Sequence, residues 1–355
     1  KNPLQNARSR WKSSAKRLNF TQQKKDIVER SKQRVAQRPL LLLGTVDKCC
    51  VYSFEPVRTT SENAIMASVV GIHYSSSLAS IAVVTKAEFS SYNAINGRLH
   101  FRVGYEKLYS GVGGRLQTGE HISSSILDDR QRKAILGTSS GMIGVFNLET
   151  GLRMKMLDPS PSGDLISQLL YAGERTVISC SWDGRIRVYD ENDEVGHRPV
   201  ISRSVLLREL HLDKTTFMCP HSADKSAQGV LAVSLSRSTE HEPSCMIALI
   251  DEEFMVLKSA IFIDDGRDAM ANALIFAKGT LPQSVLVSGH ESGHVCVWSY
   301  SRSGPAIIAC WRITNGGRVT SIDAWVSKDS VLTIHASSYS ALDEQSSVSE
   351  WVVHL

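Results

Sequence analysis

Several features that would fix a chemistry are missing from this sequence. Its seven cysteines, Cys49, Cys50, Cys180, Cys219, Cys245, Cys296 and Cys310, are scattered, odd in number and never in CxxC spacing. Reduced strand or core cysteines of a cytosolic protein are therefore expected, with no zinc ribbon or redox motif. No apolar run approaches the roughly 18 residues of a spanning helix, and Leu40 to Leu43 reads as a buried strand, so no membrane partner is expected. The glycines of 104–118 are not followed by Gly-Lys-Ser/Thr, which excludes a phosphate loop and reads as a long surface loop with no helix opening there. No EF-hand loop occurs. The histidines are dispersed: His290 and His294 share no helix face, and Glu240-His241-Glu242 lies in a loop. Asp128 and Asp129 read as a solvated turn. Neither a metal, a cofactor nor a catalytic residue is implied, and a non-enzyme is expected.

Present instead is a recurring hairpin. Thr176-Val-Ile-Ser-Cys180 is β-branched, Asp183-Gly184 predicts a two-residue type I′ turn, and Arg185 to Asp190 alternates with period two. The second strand ends in the pair Tyr189-Asp190. Ile135 to Asn147 and Val287 to Trp298 repeat the form, so that Phe146, Tyr189 and Trp298 hold one position in three copies. Here the chain resembles the WD40 repeat family, whose strands surround an Asp/Gly turn and end in Trp-Asp. The resemblance implies a role for Asp183: in that family the turn aspartate joins a network with a His, a Ser/Thr and the Trp. Tyr189 replaces the Trp here and no Gly-His dipeptide sits one strand earlier, so the network is partial. Ser179 or Ser181 is expected to bond Asp183, because an unsatisfied buried carboxylate costs roughly 1–3 kcal/mol or more.

Seven such units follow Pro39 and average roughly 45 residues, the period of a four-stranded blade. The expected fold is all-β, a seven-bladed WD40-type β-propeller over 39–355. Asn96-Gly97 predicts a second type I′ hairpin. Stretches 191–212 and 336–347 read as a polar insertion and a long loop. Unit five is degenerate, with Ile250 in the aromatic's place, and Trp351 sits late in the final strand. Unit one starts at its second strand and the chain ends after the third strand of unit seven, so closure predicts either a strand near Val28–Gln37 or an incomplete blade whose edge admits a partner strand.

The net charge of +4 hides an asymmetry: residues 1–38 hold twelve of the 40 basic and two of the 36 acidic residues, leaving net −6 elsewhere. This segment reads as a basic arm, helical or flexible, stopped by Pro39. A solvated helix or linker is one reading. The other is docking on an acidic surface through Arg8, Arg10, Lys12, Lys16, Arg17, Lys24 and Lys25. Trp11 and Phe20 are its only interleaved aromatics, so nucleic acid is the less favoured partner. The sequence starts at Lys1, which reads as a segment of something longer.

A narrower resemblance rests on three phrases, Ile126 to Gly137, Val177 to Gly184 and Leu286 to Trp298. They are similar to the second propeller of the EF-hand-containing WD-repeat proteins of motile cilia. That resemblance implies a non-catalytic scaffold of the ciliary axoneme or a microtubule-associated assembly, cytoplasmic and cytoskeletal, with tubulin or axonemal subunits as partners. The alternative is a soluble WD40 adaptor, a substrate receptor or trafficking subunit that binds a peptide on the propeller face.

Overall fold

Short strands separated by tight turns account for almost the whole computed structural model. It describes residues 40–44, 48–54, 57–64, 68–111, 119–159, 162–173, 175–195, 198–206, 218–237, 244–251, 253, 256–263, 270–279, 284–301, 304–313, 317–340 and 345–355. The arm of residues 1–38 and the expected strand near 28–37 lie outside these.

The described strands form seven sheets. The first contains β1 (Leu40–Gly44), β2 (Lys48–Phe54) and β3 (Val57–Ala64). The second orders β4 (Val69–Ser75), β5 (Ser80–Thr85), β6 (Glu88–Asn93) and β7 (Leu99–Gly104). The third has β8 (Ile122–Leu127), β9 (Lys133–Thr138), β10 (Ile143–Asn147) and β11 (Arg153–Met156). The fourth has β12 (Ile166–Tyr171), β13 (Thr176–Ser181), β14 (Arg185–Val195) and β15 (Arg198–Leu206). The fifth has β16 (Met218–Lys225), β17 (Val230–Arg237), β18 (Ser244–Asp251) and β19 (Val256–Ile263). In the sixth, β20 (Ala271–Phe276) pairs with β22 (Ser284–His290), then β23 (His294–Ser301) and β24 (Gly304–Arg312). The two-residue β21 (Lys278–Gly279) instead runs parallel to β25 (Arg318–Val326), which continues into β26 (Val331–Ser340) and β27 (Gln345–His354) as the seventh sheet.

Two compact units divide the chain: 1–104 with 130–132 and 147–151, and 105–129 with 133–146 and 152–355. In the first, β5 is buried along its length, and Ile81, Val83 and Tyr92 pack with Ile72 and Tyr74. In the second, each apolar cluster is shared by consecutive sheets. Ile135 and Val145 meet Leu169 and Tyr189, Ile178 and Val188 meet Leu231 and Val233, Ile247 and Leu249 meet Leu274 and Leu286, and Val287 and Val297 meet Val319 and Ile334. A strand sandwiched this way must be apolar on both faces, which is why β9, β10 and β13 read as continuous runs. Each such burial contributes about 1.5–3 kcal/mol per large side chain.

The structure corrects several expectations. Residues 191–212 are no loop where described: β14 runs on through Glu191 to Val195 and turns back into β15. Backbone pairing, not side-chain alternation, carries that hairpin, so its charged composition misled. Ala336 to Ser340 continue β26, with Ala336, Ser338 and Ser340 on the buried side. Serine there replaces apolar residues without breaking period two, since Ser338 and Ser347 satisfy each other across the strands at 2.8 Å. A one-turn helix, Tyr105–Leu108, opens the segment read as loop, because Tyr105 and Leu108 are buried. Cys296 and Cys310, expected as separate reduced cysteines, face each other on β23 and β24 with Cα atoms 4.1 Å apart, which places their sulfurs side by side. That spacing is a non-hydrogen-bonded cross-strand pair, where side chains approach closest. Cys180 is free and buried, and burial pushes its thiol up to about 12.

Candidate interaction surface

The repeated turn is the first element of the site. Gly184 N–H bonds to Ser181 O at 3.0 Å, and Gly184 has φ 76° while Asp183 does not cross into positive φ. This is a three-residue loop with a left-handed glycine, not the type I′ turn expected. The same N–H bond closes Gly141 on Thr138 at 3.3 Å and Gly293 on His290 at 3.0 Å, both glycines left-handed. Asn96-Gly97 likewise has only its glycine at positive φ. The Gly137-Thr-Ser-Ser-Gly141 stretch spells a Gly-x-Ser-x-Gly pattern. It is the β9–β10 hairpin, with no helix after the serine, so it lacks the strand-to-helix geometry of a nucleophile elbow.

Asp183 is held differently from expectation. Its Oδ1 accepts the Arg185 main-chain N–H at 2.9 Å and an Arg187 guanidinium N–H at 3.2 Å; its Oδ2 pairs closely with Arg187 and accepts the Ser162 hydroxyl at 3.1 Å. The Ser181 hydroxyl goes instead to Asp164 O at 3.3 Å. Burial pushes the Asp183 carboxyl up, but the Arg187 hydrogen bond, the Arg185 amide and the Arg187 charge outweigh it and hold the carboxyl below its usual range. Arg187 is 3% exposed, so this is an inward-facing ion pair. The signal for it was Arg187 itself, a charge in a strand buried on both faces. Trp182, next to Asp183, is 43% exposed at the tip of the turn.

The strand-end positions share a second feature. At Phe146, Tyr189 and Trp298 the ladder to the next strand shifts register, as at Tyr52, Tyr92 and Ile250. A bulge re-aims the side chain at the shift. Phe146 and Tyr189 are fully buried, and the Tyr189 hydroxyl donates to Asp158 O at 3.1 Å. The Trp298 indole N–H donates to Ser288 Oγ at 2.9 Å, which lies 2.8 Å from His290 Nε2. The sequence reading weighed such a network only around Asp183 in the fourth sheet, whereas here the histidine ends β22, the strand before the one that carries Trp298. Asp190 pairs with Thr176 in the ladder, and Trp351 lies partly buried against Trp311 with ring centroids 5.5 Å apart. The structure thus places Asp183, Gly184, Tyr189 and Asp190 on one hairpin and Phe146, Trp298 and Trp351 in other sheets.

Glu191, 2% exposed, pairs with Lys133 at 2.8 Å between the third and fourth sheets. Among the described residues no group of three or more His, Cys, Asp or Glu side chains is arranged to hold a metal ion. No helix among them is long and apolar enough to cross a membrane. What faces outward is apolar in places. Leu152 and Met154 beside and on β11, Ile307 and Ile308 on β24, and Val348 and Val352 on β27 are all more than 40% exposed. These strands are the outermost of their sheets.

No family profile matches the chain, and no curated protein does. Solved structures do resemble it. A chain of the mitotic checkpoint complex crystal structure superposes with a TM-score of 0.53 at 12% identity, over 79% of this chain and 78% of that one. A chain from the crystal structure of BBS1N in complex with ARL6DN superposes with a TM-score of 0.60 at 13% identity, over 89% of this chain and 87% of that one. Both neighbours are β-propeller proteins, and this chain, all-β with repeated four-stranded antiparallel sheets, shares their fold. At such identities the likeness defines the class of fold.

Proposed function

We propose that this chain is a non-catalytic interaction module, a seven-bladed propeller of the WD40 type, that serves as a scaffold in a ciliary axoneme or other microtubule-associated assembly. The observation that carries the interaction role is the distribution of apolar side chains. Ile307, Ile308, Val348 and Val352 stand on outermost strands, where an isolated domain gains nothing from them. Two acids, by contrast, tie neighbouring sheets together: Glu191 pairs with Lys133 and Asp224 accepts from the Phe276 main-chain N–H. Both fold neighbours come from protein complexes, which supports partners that are proteins.

The ciliary assignment rests on the phrases Ile126–Gly137, Val177–Gly184 and Leu286–Trp298. The proposed partner is an acidic surface such as tubulin, gripped by the basic arm of residues 1–38 with Arg8, Arg10, Lys12, Lys16, Arg17, Lys24 and Lys25. Attraction of this kind is screened within about 8 Å at physiological salt. Co-sedimentation of the full chain with microtubules should fall steeply with salt, and fall further when those seven residues are changed to Gln. Equal pelleting by parent and variant removes the arm from the mechanism.

The second reading, a soluble adaptor that binds a peptide, is favoured by Trp182, exposed at a hairpin tip beside a rigid ion pair. Trp182→Ala would then abolish capture of one dominant partner from non-ciliated cells while leaving microtubule binding intact.

A further inference from the structure

The sixth sheet brings two thiols together at unequal depth. Cys296 on β23 stands directly across from Cys310 on β24, 14 residues away in sequence. Their Cα atoms, 4.1 Å apart, lie well inside the roughly 7 Å beyond which two cysteines cannot be joined without backbone movement. Cys296 is 6% exposed, whereas Cys310 is open to solvent. An accessible thiol beside a sheltered one is the arrangement in which the first meets an oxidant and the second resolves the adduct.

The strand that carries Cys310 also presents apolar side chains. β24 is the outermost strand of its sheet, and no described strand pairs with its outer edge. The ladder steps from Val297↔Ala309 to Trp298↔Ile307, so Ile308 is an extra residue. With this bulge Ile307 and Ile308, adjacent in sequence, are both exposed. A bond from Cys310 to Cys296 would fix the strand two residues beyond the bulge.

We propose that Cys296 and Cys310 form a reversible thiol–disulfide switch, oxidised by a small disulfide of the glutathione class, that clamps the bulged strand β24 onto β23. In the first step the Cys310 thiolate attacks one sulfur of glutathione disulfide. That S–S bond breaks, one glutathione thiolate leaves, and Cys310 carries a mixed disulfide. In the second step the Cys296 thiolate attacks the Cys310 sulfur and displaces the other glutathione thiolate. Two protein thiols are oxidised and one glutathione disulfide is reduced to two thiols, which take up the two protons the cysteines gave to water. Reduced glutathione runs the steps backwards, attacking the Cys310 sulfur first because it is the accessible one. Cys180, 1% exposed and opposite Gln168 and Ile186 in its ladders, takes no part. The chemistry stands apart from the interaction reading. Only its consequence, control over how Ile307 and Ile308 are presented, rests on that reading.

The test equilibrates the full chain in glutathione buffers of graded thiol-to-disulfide ratio, quenches with an alkylating reagent and maps the cysteines by peptide mass. Cys296 and Cys310 should pass together from alkylated to linked as glutathione disulfide increases, and return when reduced glutathione is restored. Cys180 should acquire no glutathione. Cys296→Ser should trap one glutathione on Cys310, and Cys310→Ser should leave Cys296 without one over the same exposure. Amide hydrogen exchange along Gly304–Arg312 should slow several-fold on linking. A pair that never links, a link that survives excess reduced glutathione, or glutathione trapped on Cys296 instead of Cys310 overturns the switch; exchange unchanged by linking overturns the clamp. Should either serine variant fail to fold, the titration and exchange of the parent decide alone. None of these measurements involves a partner, so failure here is distinct from failure of the interaction reading.

Discussion

Asp224 Oδ2 accepts a hydrogen bond from the Phe276 main-chain N–H at 2.7 Å, so a carboxyl of the fifth sheet is bonded to the first strand of the sixth. Burial pushes this carboxyl up to about 6, against the pull of the Phe276 and Lys225 amides and the Lys278 charge. The folded value exceeds the unfolded one, so the folded chain binds the proton more tightly. The contribution to stability is complete below about pH 4 and is lost as pH rises through about 6. Asp224→Asn keeps an acceptor for Phe276 and removes the titration. The variant should be more stable than the parent at pH 7 by about 2 kcal/mol, with the gap closing near pH 4. Paired urea melts at the two pH values measure it; a gap independent of pH contradicts the assignment.

His73 on β4 should act in the opposite direction. Burial pushes its imidazole down from 6.5 to about 4. Here the unfolded chain binds the proton more tightly, so stability is complete above about pH 6.5 and is lost as pH falls toward 4. His73→Gln stays neutral throughout. Between pH 7 and pH 4.5 the parent should lose about 2 kcal/mol more than the variant. Parallel loss in both proteins would show that the imidazole stays uncharged in the unfolded chain or is reached by solvent in the folded one.

The pattern of strands was legible where apolar runs and glycine turns coincide, as in Ile135–Phe146, Val177–Tyr189 and Val285–Trp298. It failed where backbone pairing carries a polar strand. Met218–Lys225 contains Pro220, His221, Asp224 and Lys225, and nothing in that composition alternates, yet it forms the first strand of its sheet. Val57–Ala64 is nearly all polar and still pairs with β2. The turn glycines at 141, 184 and 293 were legible as turns but not as a turn type, because that depends on which carbonyl each N–H finds. Of the candidate site, the strand-end aromatics were readable by position. The Asp183–Arg187 pair was not, since the residues that satisfy a buried carboxylate are set by tertiary approach.

That pair gives the firmest test of whether the Asp183 turn is structural. Arg187 is 3% exposed, and its guanidinium meets both oxygens of Asp183. Removing only the acid strands a buried charge, which typically costs about 3–5 kcal/mol, whereas replacing both members by apolar residues is often close to neutral. Asp183→Ala should therefore lower the melting temperature by several degrees, and the double change Asp183→Ala with Arg187→Met should recover much of it. Any partner captured by the parent should bind both variants equally below their melting temperatures. If Asp183→Ala leaves the melt unchanged while partner capture disappears, the carboxylate belongs to a binding surface and not to the frame of the hairpin. Adding Arg187→Met alone completes a double-variant cycle, whose interaction energy measures how far the two side chains depend on each other, the cost of a stranded charge included.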